Sequence, residues 1–284
     1  MTSVSKWVAG ARPRTLVAAI APVMVATAFA GSQWSPWRAL FALIVSLALQ
    51  IGVNYANDYS DGIRGTDDSR IGPMRLTASG LAKPGAVKAA AALSFLIAAC
   101  AGLALASLTS WWLILIGALA INAAWGYTGG NSPYGYKGLG EVAVFLFFGV
   151  VATVGSYFAQ TEKINLQIFI ISIPMGALAC AILAINNLRD RAQDEIVGKK
   201  TVAVRLGDKG ARRLYIALLL AAHLFALFTF EPGALLTLLA VPLTWNLARG
   251  VSIGAHGADL IPYLAKTGKL QLIFAVLFAL GLVI

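Results

Sequence analysis

Residues 57–80 read NDYSDGIRGTDDSRIGPMRLTASG, a polar and charged stretch in a chain that is otherwise mostly lipid-soluble. A second stretch, residues 186–207, reads NNLRDRAQDEIVGKKTVAVRLG. Each follows a long apolar run, opens on Asn, and sets carboxylates at helical spacing ahead of Gly, Lys and Arg. At about 100° per residue, Asp58, Asp61 and Asn57 fall at roughly +40°, −20° and −60° from Asn54, so four oxygen-bearing side chains share one face. From Asn186, the side chains of Asp190, Asp194 and Asn187 fall at about +40°, +80° and +100°, again on one face. Carboxylate and amide oxygens with no His or Cys among them suit a hard divalent cation. Magnesium takes few carboxylates from each protein element and completes its octahedron with water and phosphate oxygens. Arg64, Arg70, Arg189, Lys199 and Lys200 stand within a few residues of those acids. Acid beside base reads as metal plus anion, most simply magnesium diphosphate.

The rest of the chain explains where such a site would sit. Of 284 residues, 59% are hydrophobic and 12% charged, and the mean hydropathy is +0.78. That composition points to a polytopic membrane protein. Cys100 and Cys180 lie inside apolar runs and read as small buried hydrophobes rather than a disulfide framework. The apolar run from Leu16 to Ala30 follows basic residues but no small-residue cleavage site follows it, so it reads as a first span.

Nine apolar runs approach spanning length: about 15–31, 38–57, 88–107, 111–128, 141–159, 166–185, 214–230, 233–249 and 269–284. With the N-terminus in the cytoplasm, 20 of the 22 Lys and Arg residues fall on the cytoplasmic side, leaving Arg38 and Lys163 on the other. The net charge of +10 therefore follows membrane topology rather than nucleic-acid binding. Both acidic stretches fall on the cytoplasmic face. Runs two to four and six to eight share a pattern of acidic helix end, long loop and apolar hairpin, a weak internal duplication within one domain of residues 1–284.

A third cytoplasmic loop, YTGGNSPYGYKGLGE at 127–141, is rich in Gly and Tyr. Its glycines allow close approach to a flat ligand and its Tyr and Lys side chains can stack on and hydrogen-bond a phenolic ring; an interfacial turn with Tyr at headgroup depth has the same composition. Arg12 and Arg14 precede the first run, where basic residues usually serve topology. His223 and His256 lie away from the acidic stretches. GxSxG, P-loop, His/Cys metal and dinucleotide fingerprints are absent from the sequence.

Four blocks, ARPRTL, NDYSDGIRGTDD with RIGPMRLTASG, YTGGNSPYGYKGLGE and NNLRDRAQDEIVGKKTVAVRLG, occur in order over most of the chain. In them the sequence resembles the UbiA superfamily of intramembrane aromatic prenyltransferases, and within it the MenA branch that prenylates 1,4-dihydroxy-2-naphthoate in menaquinone synthesis. The resemblance implies an all-α bundle of nine transmembrane helices around a central cavity that opens to the cytoplasmic side and sideways to lipid, in the cell membrane. It implies metal ligands among Asn57, Asp58, Asp61, Asp67, Asn186, Asp190 and Asp194, with the five Asp residues catalytic. It implies diphosphate contacts from Asn54, Arg64, Arg70, Asn187, Arg189, Lys199 and Lys200. The sequence departs from the superfamily pattern at Gly65, where the last Asp of the first motif belongs, with Asp67 and Asp68 just beyond. Either Asp61 or Asp67 completes the first metal site on this reading.

The implied reaction is magnesium-dependent, with manganese as a substitute: ionisation of a polyprenyl diphosphate, attack by the electron-rich naphthoate ring, and loss of carbon dioxide and diphosphate. Arg12, Tyr134, Tyr136, Lys137 and Glu141 are the expected acceptor contacts. Alternatives are another acceptor such as 4-hydroxybenzoate, homogentisate or a porphyrin, a CDP-alcohol phosphatidyltransferase, whose DG and AR pattern is unmatched, and a cation-coupled transporter, whose ligands belong near the bilayer midplane.

Overall fold

The computed structural model describes residues 3–67, 72 and 74–284, and among these residues every regular element is helical. In chain order the α-helices are α1 (Val4–Gly10), α2 (Val17–Phe29), α3 (Pro36–Ile63), α4 (Pro84–Ser107), α5 (Trp112–Gly126), α6 (Gly140–Val144), α7 (Ala152–Thr161), α8 (Leu166–Ile196), α9 (Val202–Leu227), α10 (Val241–Ser252) and α11 (Ile261–Val283). The starts follow local chemistry. Pro36 and Pro84 open α3 and α4, where the missing N–H of proline costs nothing. Asn165 caps α8 by accepting from Ile168 N at 2.9 Å.

Helix α8 is the post of the bundle. Its apolar window is 78% buried, against 33–44% for the other candidate spans. Small residues, among them Gly176, Ala177, Ala181 and Ala184, let neighbours approach it closely. The other helices leave one flank to lipid: Leu93, Leu96 and Ile97 on α4 are exposed, as are Leu220 and Leu224 on α9. Trp34, Trp37, Trp111 and Trp112, also exposed, gather at the ends of α3 and α5 remote from the acidic motifs, where indole rings sit well at a headgroup boundary.

Seven helices among the described residues are long and apolar enough to cross a membrane, or eight spans if α1 and α2, bent by 52°, count as one. The nine apolar runs thus translate unevenly. The run at 15–31 yields only the 13-residue α2, and the run at 111–128 the 15-residue α5. The run at 233–249 starts in a 3-10 stretch, Pro232–Ala240, before α10. Helix α11 begins well ahead of its apolar run, because helix continues through charged residues; α9 does so too, but is kinked at Gly207, whose φ of 68° and ψ of 179° are not helical. The run at 141–159 contains a π-helix, Phe145–Val151, between α6 and α7. There Gly149 crosses Gly176 of α8 so closely that a Cβ on Gly149 would lie 2.6 Å from the Gly176 Cα.

At the end remote from the motifs Arg38 ties three helices together. It donates to Leu108 O at 2.6 Å, Gln160 O at 3.1 Å and the Glu162 carboxylate at 2.8 Å.

Candidate active site

Helix α3 stops where Gly65 takes the left-handed conformation at φ 69°. The turn lets Thr66 N donate to Asp61 O at 3.2 Å. This gives the departure from the acidic pattern a physical reason: a side chain in that conformation costs about 1–2 kcal/mol. The returning chain lies back on α3 over Gly62, where a Cβ would come within 2.5 Å of Thr77. Asp58 receives it. Its two carboxylate oxygens accept from Leu76 N and Thr77 N, each at 2.8 Å.

Helix α8 ends in the same way. Gly198, at φ 77°, follows its last turn, and Lys199 N donates to Asp194 O at 2.8 Å. That reversal sends Lys199 across to the first motif, with Nζ 3.1 Å from Asp61 Oδ2. Arg189 donates to both oxygens of Asp190 at 2.7 Å and to Asn186 Oδ1 at 2.9 Å. Arg75 Nε stands 3.0 Å from Asp67 Oδ2. Asp61, Asp67 and Asp190 are therefore each buried beside a buried cation.

The third loop straps the two motifs together. Thr128 Oγ1 donates to Asn57 Oδ1 at 2.7 Å, and the Arg64 guanidinium donates to the carbonyls of Thr128 and Gly130. Tyr136 Oη donates to Asp61 Oδ1 at 2.6 Å, and its ring is flanked by Lys199 Nζ at 4.7 Å and the Arg64 guanidinium at 5.6 Å. Lys200 N donates to Tyr136 O at 2.8 Å and Arg205 Nη2 to Lys137 O at 2.7 Å. Burial first, and then the Asp61 carboxylate, hold the Tyr136 phenol well above its ordinary value. Burial pushes Tyr134 up to about 12.

These elements surround a cavity of about 940 Å³. Its polar mouth takes in Asn54, Asn57, Asp61, Asp67, Asn186, Asn187, Asp190, Asp194 and Lys199, with Arg12, Tyr134 and Tyr136 beside them. An apolar arm continues between α3, α4, α5 and the π-helix to Leu105 and Leu113 near the far end. Several expected site residues do not line it. Asp58 is turned onto the returning loop, Arg64 onto the strap, and Arg189 lies behind Asp190. Lys137 and Lys200 are exposed, and Glu141 reaches the cavity only through Asn187, whose Nδ2 donates to its Oε1 at 3.0 Å. Arg70 lies outside the described residues. Arg75 and Tyr127, which the motif reading did not single out, do line the cavity. The signal for Arg75 was a second Arg retained in RIGPMR within so apolar a chain.

Among the described residues no three carboxylate, His or Cys side chains are gathered closely enough to hold an ion unaided. The donor chemistry nevertheless fits magnesium: only oxygen donors, one or two carboxylates from each motif, and cations placed to receive phosphate. An ion carried in on a diphosphate needs no more from the protein.

The UbiA prenyltransferase family matches residues 19–256. The chain belongs to that family. A UbiA-family relative from Mycobacterium tuberculosis, named 1,4-dihydroxy-2-naphthoate octaprenyltransferase, is 49% identical over 285 residues, covering 98% of this chain and 97% of that one. A UbiA homologue from Aeropyrum pernix in its apo form has the same fold, with a TM-score of 0.72 at 15% identity over 94% of this chain and 96% of its own. Another from Archaeoglobus fulgidus, solved with GPP and Mg2+, gives 0.70 at 14% identity over 98% and 99%.

Proposed function

We propose that this chain transfers a polyprenyl group from its diphosphate to 1,4-dihydroxy-2-naphthoate, releasing diphosphate and carbon dioxide and giving the demethylated menaquinone precursor. One observation carries the reading: a mouth of paired acids and bases opens directly into an apolar arm, as a substrate with a diphosphate head and an isoprenoid tail requires. The near full-length likeness to the mycobacterial naphthoate octaprenyltransferase supports the acceptor.

Asp61 and Asp67 from one side, and Asn186, Asp190 and Asp194 from the other, would hold magnesium, with manganese able to replace it. When bound, the metal supplies charge neutralisation that helps the allylic C–O bond ionise. Lys199 and Arg75, which line the mouth, receive the negative charge that develops on the leaving diphosphate, while Arg189 holds Asp190 from behind. Walls of Ala, Leu, Val and Phe keep water from the allylic cation. The ring carbon bearing the carboxylate attacks, and the electrons of the broken carboxylate bond restore aromaticity as carbon dioxide leaves. Arg12 lines the mouth and takes the acceptor carboxylate, while Tyr134 and Tyr136 flank the ring.

On this reading the chain crosses the cell membrane nine times, with α1 and α2 forming one bent span and α5 a short one. The mouth faces the cytoplasm, supported by 20 of 22 basic residues on that side. The test is turnover in proteoliposomes with octaprenyl diphosphate, 1,4-dihydroxy-2-naphthoate and magnesium. Prenylated, decarboxylated product is expected, and EDTA, Asp61→Asn and Asp190→Asn should each abolish it. Product from 4-hydroxybenzoate alone would keep the transfer and overturn the acceptor.

A further inference from the structure

Small residues in membrane helices usually mark places where helices touch. Three glycines along the apolar arm mark the opposite. A Cβ on Gly117 of α5 or Gly155 of α7 would meet no described atom within 4 Å, and one on Gly102 of α4 would come no closer than 3.9 Å, to Val45. All four residues line the cavity. At Gly149 and Gly233, by contrast, an added Cβ would strike backbone at 2.6 and 2.1 Å. Packing therefore accounts for those two and not for Gly102, Gly117 and Gly155, although glycine is a poor helix-interior residue.

The three also stand at different depths. Gly117 is ten residues from Tyr127 at the mouth, about 15 Å along α5 at 1.5 Å per residue. Gly155 is fourteen residues beyond Glu141, somewhat under about 20 Å down, because the π-helix at 145–151 rises less per residue than an α-helix. Val45, beside Gly102, is sixteen residues from Asp61 on α3, about 24 Å down.

We propose that Gly117, Gly155 and Gly102 set the length of donor the enzyme accepts: the isoprenoid tail threads the arm past them, and the space they leave open admits the longer tails. The inference rests on the polyprenyl transfer proposed above. It makes the arm a graded ruler, in which a side chain added near the mouth shortens the accepted tail more than one added deeper.

The experiment compares kcat/KM for geranyl, geranylgeranyl and octaprenyl diphosphates, with 1,4-dihydroxy-2-naphthoate as acceptor, in proteoliposomes. The variants are Gly117→Phe and Gly155→Phe, the milder Gly117→Leu and Gly155→Leu, and Leu119→Phe, which adds a ring to α5 at a residue 54% exposed and outside the cavity. In Gly117→Phe the octaprenyl-to-geranyl ratio should fall by about ten- to a hundredfold, the range that steric discrimination in an apolar pocket supplies. Gly155→Phe should spare geranylgeranyl diphosphate more than Gly117→Phe does, and Leu119→Phe should keep the original ratio. Unchanged ratios in both Phe variants would overturn the proposal, because the tail would then leave sideways into lipid. Equal loss of all three donors in the Phe and Leu variants would overturn it too. Failure of the unaltered chain with every donor would instead defeat the transfer reading beneath it.

Discussion

Asp58 and Asp61 are three residues apart in one motif and stand in different surroundings. Both Asp58 oxygens are engaged by backbone N–H groups of the returning loop, whereas Asp61 faces the cavity between Lys199 and Tyr136. Asp58→Asn leaves one of those amides facing a donor, which costs roughly 1–3 kcal/mol. It should lower the thermal midpoint and speed proteolysis at the loop, while the magnesium concentration for half-maximal rate stays where it was. Asp61→Asn should abolish turnover, and because it strands the buried Lys199 ammonium without its carboxylate it should lower the thermal midpoint as well. Measuring both quantities on both variants checks the division. Tyr136 gives a test in pH. Its folded value is raised above the ordinary 10.0 of a tyrosine, so the folded state holds that proton more tightly than the unfolded chain does. The resulting stabilisation is complete below pH 10 and is lost as pH rises through the folded value. Thermal midpoints should therefore fall more steeply above pH 10 in the native sequence than in Tyr136→Phe, and turnover should show no tyrosine-linked decline between pH 7 and 9.

At the scale of elements, each motif is a long helix closed by a left-handed glycine. Gly198→Ala places a Cβ where φ is 77°, a strain of about 1–2 kcal/mol. Relaxing it rotates Lys199 away from Asp61. The expected result is a large loss of kcat with an unchanged helical circular dichroism spectrum. How much of this was legible beforehand follows from what periodicity encodes. Asn/Asp spacing on α3 and α8 gave the two faces, because 3.6 residues per turn is a local property. It placed Asp58 among its neighbours and was blind to the Leu76 and Thr77 amides that claim it, since those arrive from a loop. Hydropathy found nine runs but not the bend between α1 and α2, the 3-10 start of the 232–252 segment or the π-helix at 145–151, which depend on how neighbours pack. Arg75 was missed for the same reason: its pairing with Asp67 exists only once the returning loop has folded over Gly62.

For the whole molecule, chemistry and clasp occupy opposite ends. Arg38 holds α3, α4 and α7 together far from the mouth. Arg38→Ala should lower the thermal midpoint in detergent by several degrees, leaving KM for the donor and the magnesium requirement intact; a changed magnesium requirement would show that the two ends communicate. The bundle is also lopsided in how firmly its walls are seated. Helix α5 puts only Ala120 and Ala124 fully inside, while Leu115 and Leu119 face outward and Trp112 stands at its far end. The wall beside the apolar arm is thus the one that the rest of the bundle grips least, because so few of its side chains are enclosed by neighbouring helices.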